Sequence, residues 1–296
     1  MVLRESYLLL LCLLATCNVL HSEEIAKWKD ELRVGRFEIH ADFALQSQKQ
    51  LIIELGQIRA DVEDLLQLPE SSETIHIVLF ATEEEYRRYM GAYFPELPHR
   101  RALFLQHRGP GMLFTHWHPG VAADLRHEVT HALINQSGVT LPLWLDEGLA
   151  EYFEASREAR FGGNSYLSEV QALSGKGQLQ SLATLQKKEH FAELRNADYR
   201  DSWAWVHFML HRSARTRELL LRYLSEHRAL PKHALTEKAV ESQPAKVFDL
   251  QRALLDEVPD LRRQLREHFT AVSRTGGVAS KPASHGPATI ATLRPN

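Results

Sequence analysis

Between residues 36 and 41 (RFEIHA) polar and apolar positions alternate, which predicts a half-buried strand. From 44 to 68 the period changes. Leu51, Leu55, Ile58, Val62, Leu65 and Leu66 recur at helical spacing, and Pro69 closes the segment. The run 75–80 (IHIVLF) is almost continuously apolar and predicts a buried strand. Thr82 followed by Glu83, Glu84 and Glu85 reads as a helix start. Its hydroxyl is placed to cap an orphan amide, and the acids favour the positive end of the helix dipole. Residues 101–106 and 112–117 read as two more strands joined by the turn-prone Gly109-Pro110-Gly111. Beyond Ala122 the spacing is helical: 124–137, ended near Gly138, then 145–158, 201–211, 216–230, 245–257 and 259–272. The pattern predicts an α+β fold, with a mixed α/β half over 23–121 and a helical half over 122–272. The tail 273–296, rich in Gly, Ala, Ser, Thr and Pro, has little to bury and is expected to be disordered. No internal repeat is evident.

The first 22 residues fall outside this pattern. Arg4 precedes an apolar run over 7–15, and small or polar residues follow to Ser22. The run is shorter than the ~20 apolar residues a spanning helix needs, and it fits a removed secretory signal. Leu14-Ala15-Thr16-Cys17 loosely resembles a bacterial lipoprotein box, which makes Cys17 a candidate lipid anchor. The only two cysteines, Cys12 and Cys17, lie in this segment, so the mature chain is expected to hold no disulfide and to depend on core packing. The expectation is an exported protein: periplasmic, cell-surface or secreted. A composition 44% hydrophobic and 25% charged is that of an ordinary soluble protein. A net charge of -3 gives no basic face for nucleic acid.

Candidate chemistry centres on LRHEVTH, residues 125–131. Positions four apart share a helix face, so His127 and His131 can aim both imidazoles at one point. Two neutral imidazoles suit zinc, and Glu128 beside them is placed as a general base for an activated water. With 16 histidines in the chain, this pattern alone also fits a solvated helix. Catalytic zinc usually has three protein ligands and an open position. After a short link, LPLWLDEGLAEYFE (141–154) begins a second helix with acids near its start, and Glu147 follows His131 after 15 intervening residues. That is enough chain for a turn and a return beside the first helix.

HExxH followed by W-L-x-E-G-x-A-x-Y resembles the gluzincin zinc metallopeptidases, and most of all secreted peptidase-MA-like families with a shortened link and the same WL-EGLAEYFE wording. The likeness is specific over 127–153 and loose over the rest of 37–230. It implies a zincin-type fold around a cleft. His127, His131 and Glu147 would hold Zn2+, and Glu128 would act as general base. Glu151, one turn beyond Glu147, would orient a ligating histidine from behind; the alternative is an exposed helix carboxylate. Asp124 reads as a helix-start acid. The stretch 198–210 resembles the downstream helix start whose tyrosine stabilises the oxyanion in gluzincin aminopeptidases, which makes Tyr199 the candidate. Asp201-Ser202 stands where those enzymes have Lys-Gly. Tyr152 and Tyr166 are weaker alternatives.

His116 and His118 share a strand face and are expected to line the cleft edge or lie on plain surface rather than bind metal. The aminopeptidases' G-x-M-E-N wording is missing, so exopeptidase action has no support here. The expectation is an exported zinc peptidase acting on a peptide or protein substrate. The rival is a non-catalytic zinc-bearing scaffold of the cell envelope.

Overall fold

The strand signals of the first half come together in one sheet, seen in a computed structural model that describes residues 28–97, 99–106, 109–228 and 248–272. The signal segment with Cys17 and the tail 273–296 lie outside the described residues. The strands are β1 (Asp30–Val34), β2 (Phe37–Ala41), β3 (Ile75–Phe80), β4 (Ala102–Leu105) and β5 (Gly111–His116), in the spatial order β1-β2-β3-β5-β4. β3 is central and parallel to β2 and β5, which is why its sequence is apolar on both faces. β1 and β4 are antiparallel edges. The mostly exposed β1 (DELRV) carries no hydrophobic alternation and escapes a pattern reading. The tight turn at Gly35, with φ 60°, folds it back onto β2.

Helices cover both faces of the sheet. α1 (Lys49–Leu66) ends one turn of chain before Pro69, because Gln67 adopts a left-handed φ of 51° and Leu68 N–H bonds back to Glu63 O. α2 (Glu83–Tyr93) starts as expected, with Thr82 Oγ1 accepting from Glu85 N at 3.2 Å. It packs Tyr86 and Met90 on Val78, Phe80, Leu103, Leu105 and Phe114. α3 (Val121–Gln136) and α1 cover the opposite face, over Phe37, Ile39, Ile77, Phe104 and Leu113.

The regular elements of the rest of the described chain are helices. It comprises α4 (Leu143–Glu154), α5 (Leu167–Gly175), a single turn at Leu182–Leu185, α6 (Asn196–His211), α7 (Ala214–Glu226), α8 (Leu250–Glu257) and α9 (Leu261–Ala271). α4 stops four residues before the spacing suggested, where Ala155 turns extended. α6 starts five residues early because Asp198 Oδ2 accepts from Arg195 N at 2.7 Å and fixes its first turn. α5 had no sequence signal strong enough to predict it. One hydrophobic core runs from Phe37 to Val272, so the α/β half and the helical half share it.

Three histidines are part of the helical half's interior. His207 Nδ1 lies 2.9 Å from His268 Nε2, His207 Nε2 lies 2.9 Å from Phe161 O, and His211 Nε2 meets Tyr152 OH at 2.8 Å. Burial, with help from its histidine neighbours, pushes His207 down to about 3. Burial also pushes His211 and His268 down to about 4, with Arg217 and Arg212 nearby adding to the effect. These groups are neutral in the fold, whereas in the unfolded chain they charge near pH 6.5. Their contribution is therefore fully present above about pH 6.5 and is lost as the pH falls through the folded values. We expect unfolding titrations to show stability dropping from pH 6.5 towards 4, and His211→Gln to make that slope shallower by up to one proton, ~1.4 kcal/mol per pH unit.

Candidate metal centre

α3 and α4 run side by side, reversed through Gly138, whose φ is 74°. His127 and His131 sit one turn apart on the face that α3 turns to α4, and Glu147 sits in the second turn of α4. The three side chains converge. His127 Nε2 is 3.2 Å from His131 Nε2, and Glu147 Oε2 is 3.5 Å from the first and 3.8 Å from the second. Donors bound tetrahedrally at ~2.0–2.1 Å stand roughly 3.3–3.4 Å apart, so this triangle has the size an ion of that kind needs. Glu147 is 0% exposed and neither of its carboxylate oxygens has a hydrogen-bond partner. A buried carboxylate without a donor, aimed at two imidazole nitrogens, is a costly arrangement that a cation relieves. The donor set therefore fits a metal ion.

The surroundings favour positive charge at that point. Burial pulls His127 down, but Glu147 and Glu154 outweigh it and hold the ring well above the usual imidazole range. Burial likewise opposes, and Asp146 and Glu147 overcome, a rise at His131. The outer ring nitrogens are both matched by carboxylates. Glu154 Oε2 lies 3.3 Å from His127 Nδ1, and Asp146 Oδ2 lies 3.0 Å from His131 Nδ1 as a charge contact off the hydrogen-bond angle. Such partners fix the tautomer and leave Nε2 free to ligate.

Glu151 was the sequence candidate for this supporting role. It is buried within ligand reach of His127 and Glu154, but the carboxylate hydrogen-bonded to His127 Nδ1 is Glu154. Glu151 instead accepts from Tyr166 OH at 3.5 Å, and burial followed by the Glu154 charge pushes it well above the carboxylate range. Glu154 was missed although its signal was available: it stands two turns beyond Glu147, on the same helix face. Asp146 was missed because nothing in its spacing separates it from a helix-start acid.

Glu128 is on the same turn as His127. Its Oε2 accepts from Phe104 N at 2.9 Å, so the edge strand β4 orients it. β4 is thus a strand that reaches the centre. His116 ends the interior strand β5 and packs on Tyr86, while His118 Nε2 pairs with Asp124 Oδ2 at 3.1 Å. Asp124 also holds Arg101 at 2.7 Å, so it binds the start of β4 to α3 rather than serving the helix dipole alone.

Tyr199 is buried on α6, which packs closely on α4. It lies within electrostatic reach of both Arg100 and Tyr166. Arg100 is the cation that the sequence reading missed. It stands just ahead of β4 within electrostatic reach of Glu128, Tyr199 and Glu147; burial pulls its pKa down while the two carboxylates oppose the shift. Tyr152 faces elsewhere, onto His211. The Asp201-Ser202 departure has a packing explanation. Asp201 accepts from Arg200 Nε and Gln180 N, and the Ser202 carbonyl is where α6 touches Gly148. A Cβ on Gly148 would come within 2.7 Å of Ser202 O.

Residues 121–231 match the model of a family described as a protein of unknown function (DUF1570). That segment contains His127, Glu128, His131, Glu147 and Tyr199 but not β4 or Arg100. A search of curated proteins gave no match.

The Gly148 contact generates a test. Gly148→Ala must push α4 off α6 and carry Glu147 with it. We expect a loss of roughly 1–3 kcal/mol in chemical denaturation, together with weaker metal retention. Ala150→Gly, on the same helix, should weaken the fold without weakening metal retention.

Proposed function

We propose that this chain is a zinc-dependent peptidase of zincin type, hydrolysing peptide bonds with water as nucleophile and exported by its N-terminal segment. The observation that carries the reading is Glu147: a sealed carboxylate without a hydrogen-bond donor, at tetrahedral-edge distance from two imidazole nitrogens, with Glu128 on the adjoining helix position. His127, His131 and Glu147 would hold the ion, and a three-residue set leaves a coordination position open, as catalytic zinc sites do. Zinc, when bound, supplies Lewis-acid chemistry, polarising a carbonyl and acidifying water.

The protein's own groups do the rest. Glu128 takes the proton of the attacking water and returns it to the leaving amine. The Phe104 amide fixes the direction in which that carboxylate points. Tyr199 donates to the oxyanion, and Arg100 adds positive potential beside Glu128 as negative charge builds. In an antiparallel pair outward-facing backbone groups alternate, so Ala102 shares the outward orientation of Phe104. The β4 rim thereby offers an extended peptide a strand to pair with.

Cleavage of a mixed peptide pool, followed by mass spectrometry, tests this. Glu128→Gln should keep its zinc and lose cleavage by 100-fold or more, on the order of what general-base catalysis supplies. His131→Ala should lose one zinc per chain relative to wild type. Tyr199→Phe should lower kcat with little change in KM. Equal inertness of wild type and Glu128→Gln across broad pools would sink the peptidase reading and leave a zinc-bearing scaffold.

A further inference from the structure

A second cluster of imidazole and carboxylate side chains lies on the sheet face opposite α3. In β2 the inward residues are Phe37, Ile39 and Ala41, so Glu38 and His40 point outward. The register sets Glu38 beside His76 of β3, and on its other side Arg33 of β1; Glu31 of β1 stands opposite His40. Five polar side chains thus meet on adjacent strands, each with a backbone position fixed by the ladder.

Their contacts have a ligand set's arrangement. His40 Nε2 lies 3.1 Å from His76 Nδ1, and Glu38 Oε2 lies 3.5 Å from the same His76 nitrogen. One donor atom from each of Glu38, His40 and His76 falls within 4.8 Å of the others. The outer atoms are secured. Glu31 Oε1 accepts from His40 Nδ1 at 2.9 Å, which leaves the His40 Nε2 lone pair facing inward. Arg33 donates to Glu38 Oε1 at 3.1 Å, which leaves Oε2 for the cluster. The three side chains are 20–32% exposed, so an ion in solvent can reach them.

We infer that Glu38, His40 and His76 form a second metal site, taking a borderline divalent ion of the zinc type and clamping the β1–β2 hairpin to β3. Two imidazoles and one carboxylate suit zinc, with solvent completing the shell. Without an ion, the two imidazoles share a hydrogen bond between His40 Nε2 and His76 Nδ1. Ligation by His76 Nδ1 places that ring's proton on its other nitrogen, Nε2. Neither nitrogen belongs to the α3–α4 centre, and the inference stands whether or not that centre is catalytic.

The test is zinc stoichiometry and calorimetric titration with Zn2+ on chelator-treated, signal-free protein. Wild type should bind two ions per chain. His40→Ala/His76→Ala should bind one and keep the wild-type peptide-pool activity, whatever that activity is. Glu31→Gln leaves all three ligands in place and should weaken the second ion roughly tenfold or more. His131→Ala should leave this weaker ion bound. The inference is overturned if wild type and the double variant bind equally many ions, or if Glu31→Gln titrates like wild type. Should the double variant misfold by circular dichroism, Glu38→Gln decides the matter: unchanged affinity for the second ion rejects the site.

Discussion

Taking the Glu147 carboxylate out of water costs several kcal/mol, and within the described residues it faces only the His127 and His131 imidazoles, at 3.5 and 3.8 Å. The surrounding helices are arranged around that debt. α3 supplies two imidazole nitrogens, α4 supplies the carboxylate and two outer acids, and α6 closes over the junction at Gly148. The three groups form a set that could hold a cation, and one placed at the convergence point would offset that cost. The ligand geometry and the packing of α3, α4 and α6 thus depend on the same contacts.

Much of this was legible in the sequence because it depends on local spacing. The pair His127 and His131 and the central strand β3 follow from periods of four and from unbroken apolarity, which survive into three dimensions unchanged. Edges and caps were harder. β1 is polar because an edge strand buries little, and α1 ends at Gln67 through a backbone conformation that no proline announces. The helical character after Ala122 was clear, yet α5 went unseen, since a short helix within a large core needs no strong amphipathic stripe.

In the candidate centre, legibility stopped at contacts made across the chain. Phe104 reaches Glu128 from 24 positions away, through a backbone amide that any residue could supply. Arg100 comes from a loop with no motif. Glu154, not Glu151, backs His127, because the side chain two turns on reaches the ring's outer nitrogen while the nearer one turns to Tyr166. The strand-face cluster of Glu38, His40 and His76 was invisible for the same reason: the register of three strands, not any spacing along one of them, brings it together.

The bond between Phe104 and Glu128 has one more consequence. A short edge strand with free outward amides is a template on which other chains can add strands, and folded proteins avoid leaving such edges open. Here the middle of β4 is closed by a carboxylate from a neighbouring helix, and the strand itself is only four residues long. An arriving backbone must displace Glu128 before it can pair there. The molecule is thereby shielded, at the middle of this edge, from stacking with copies of itself.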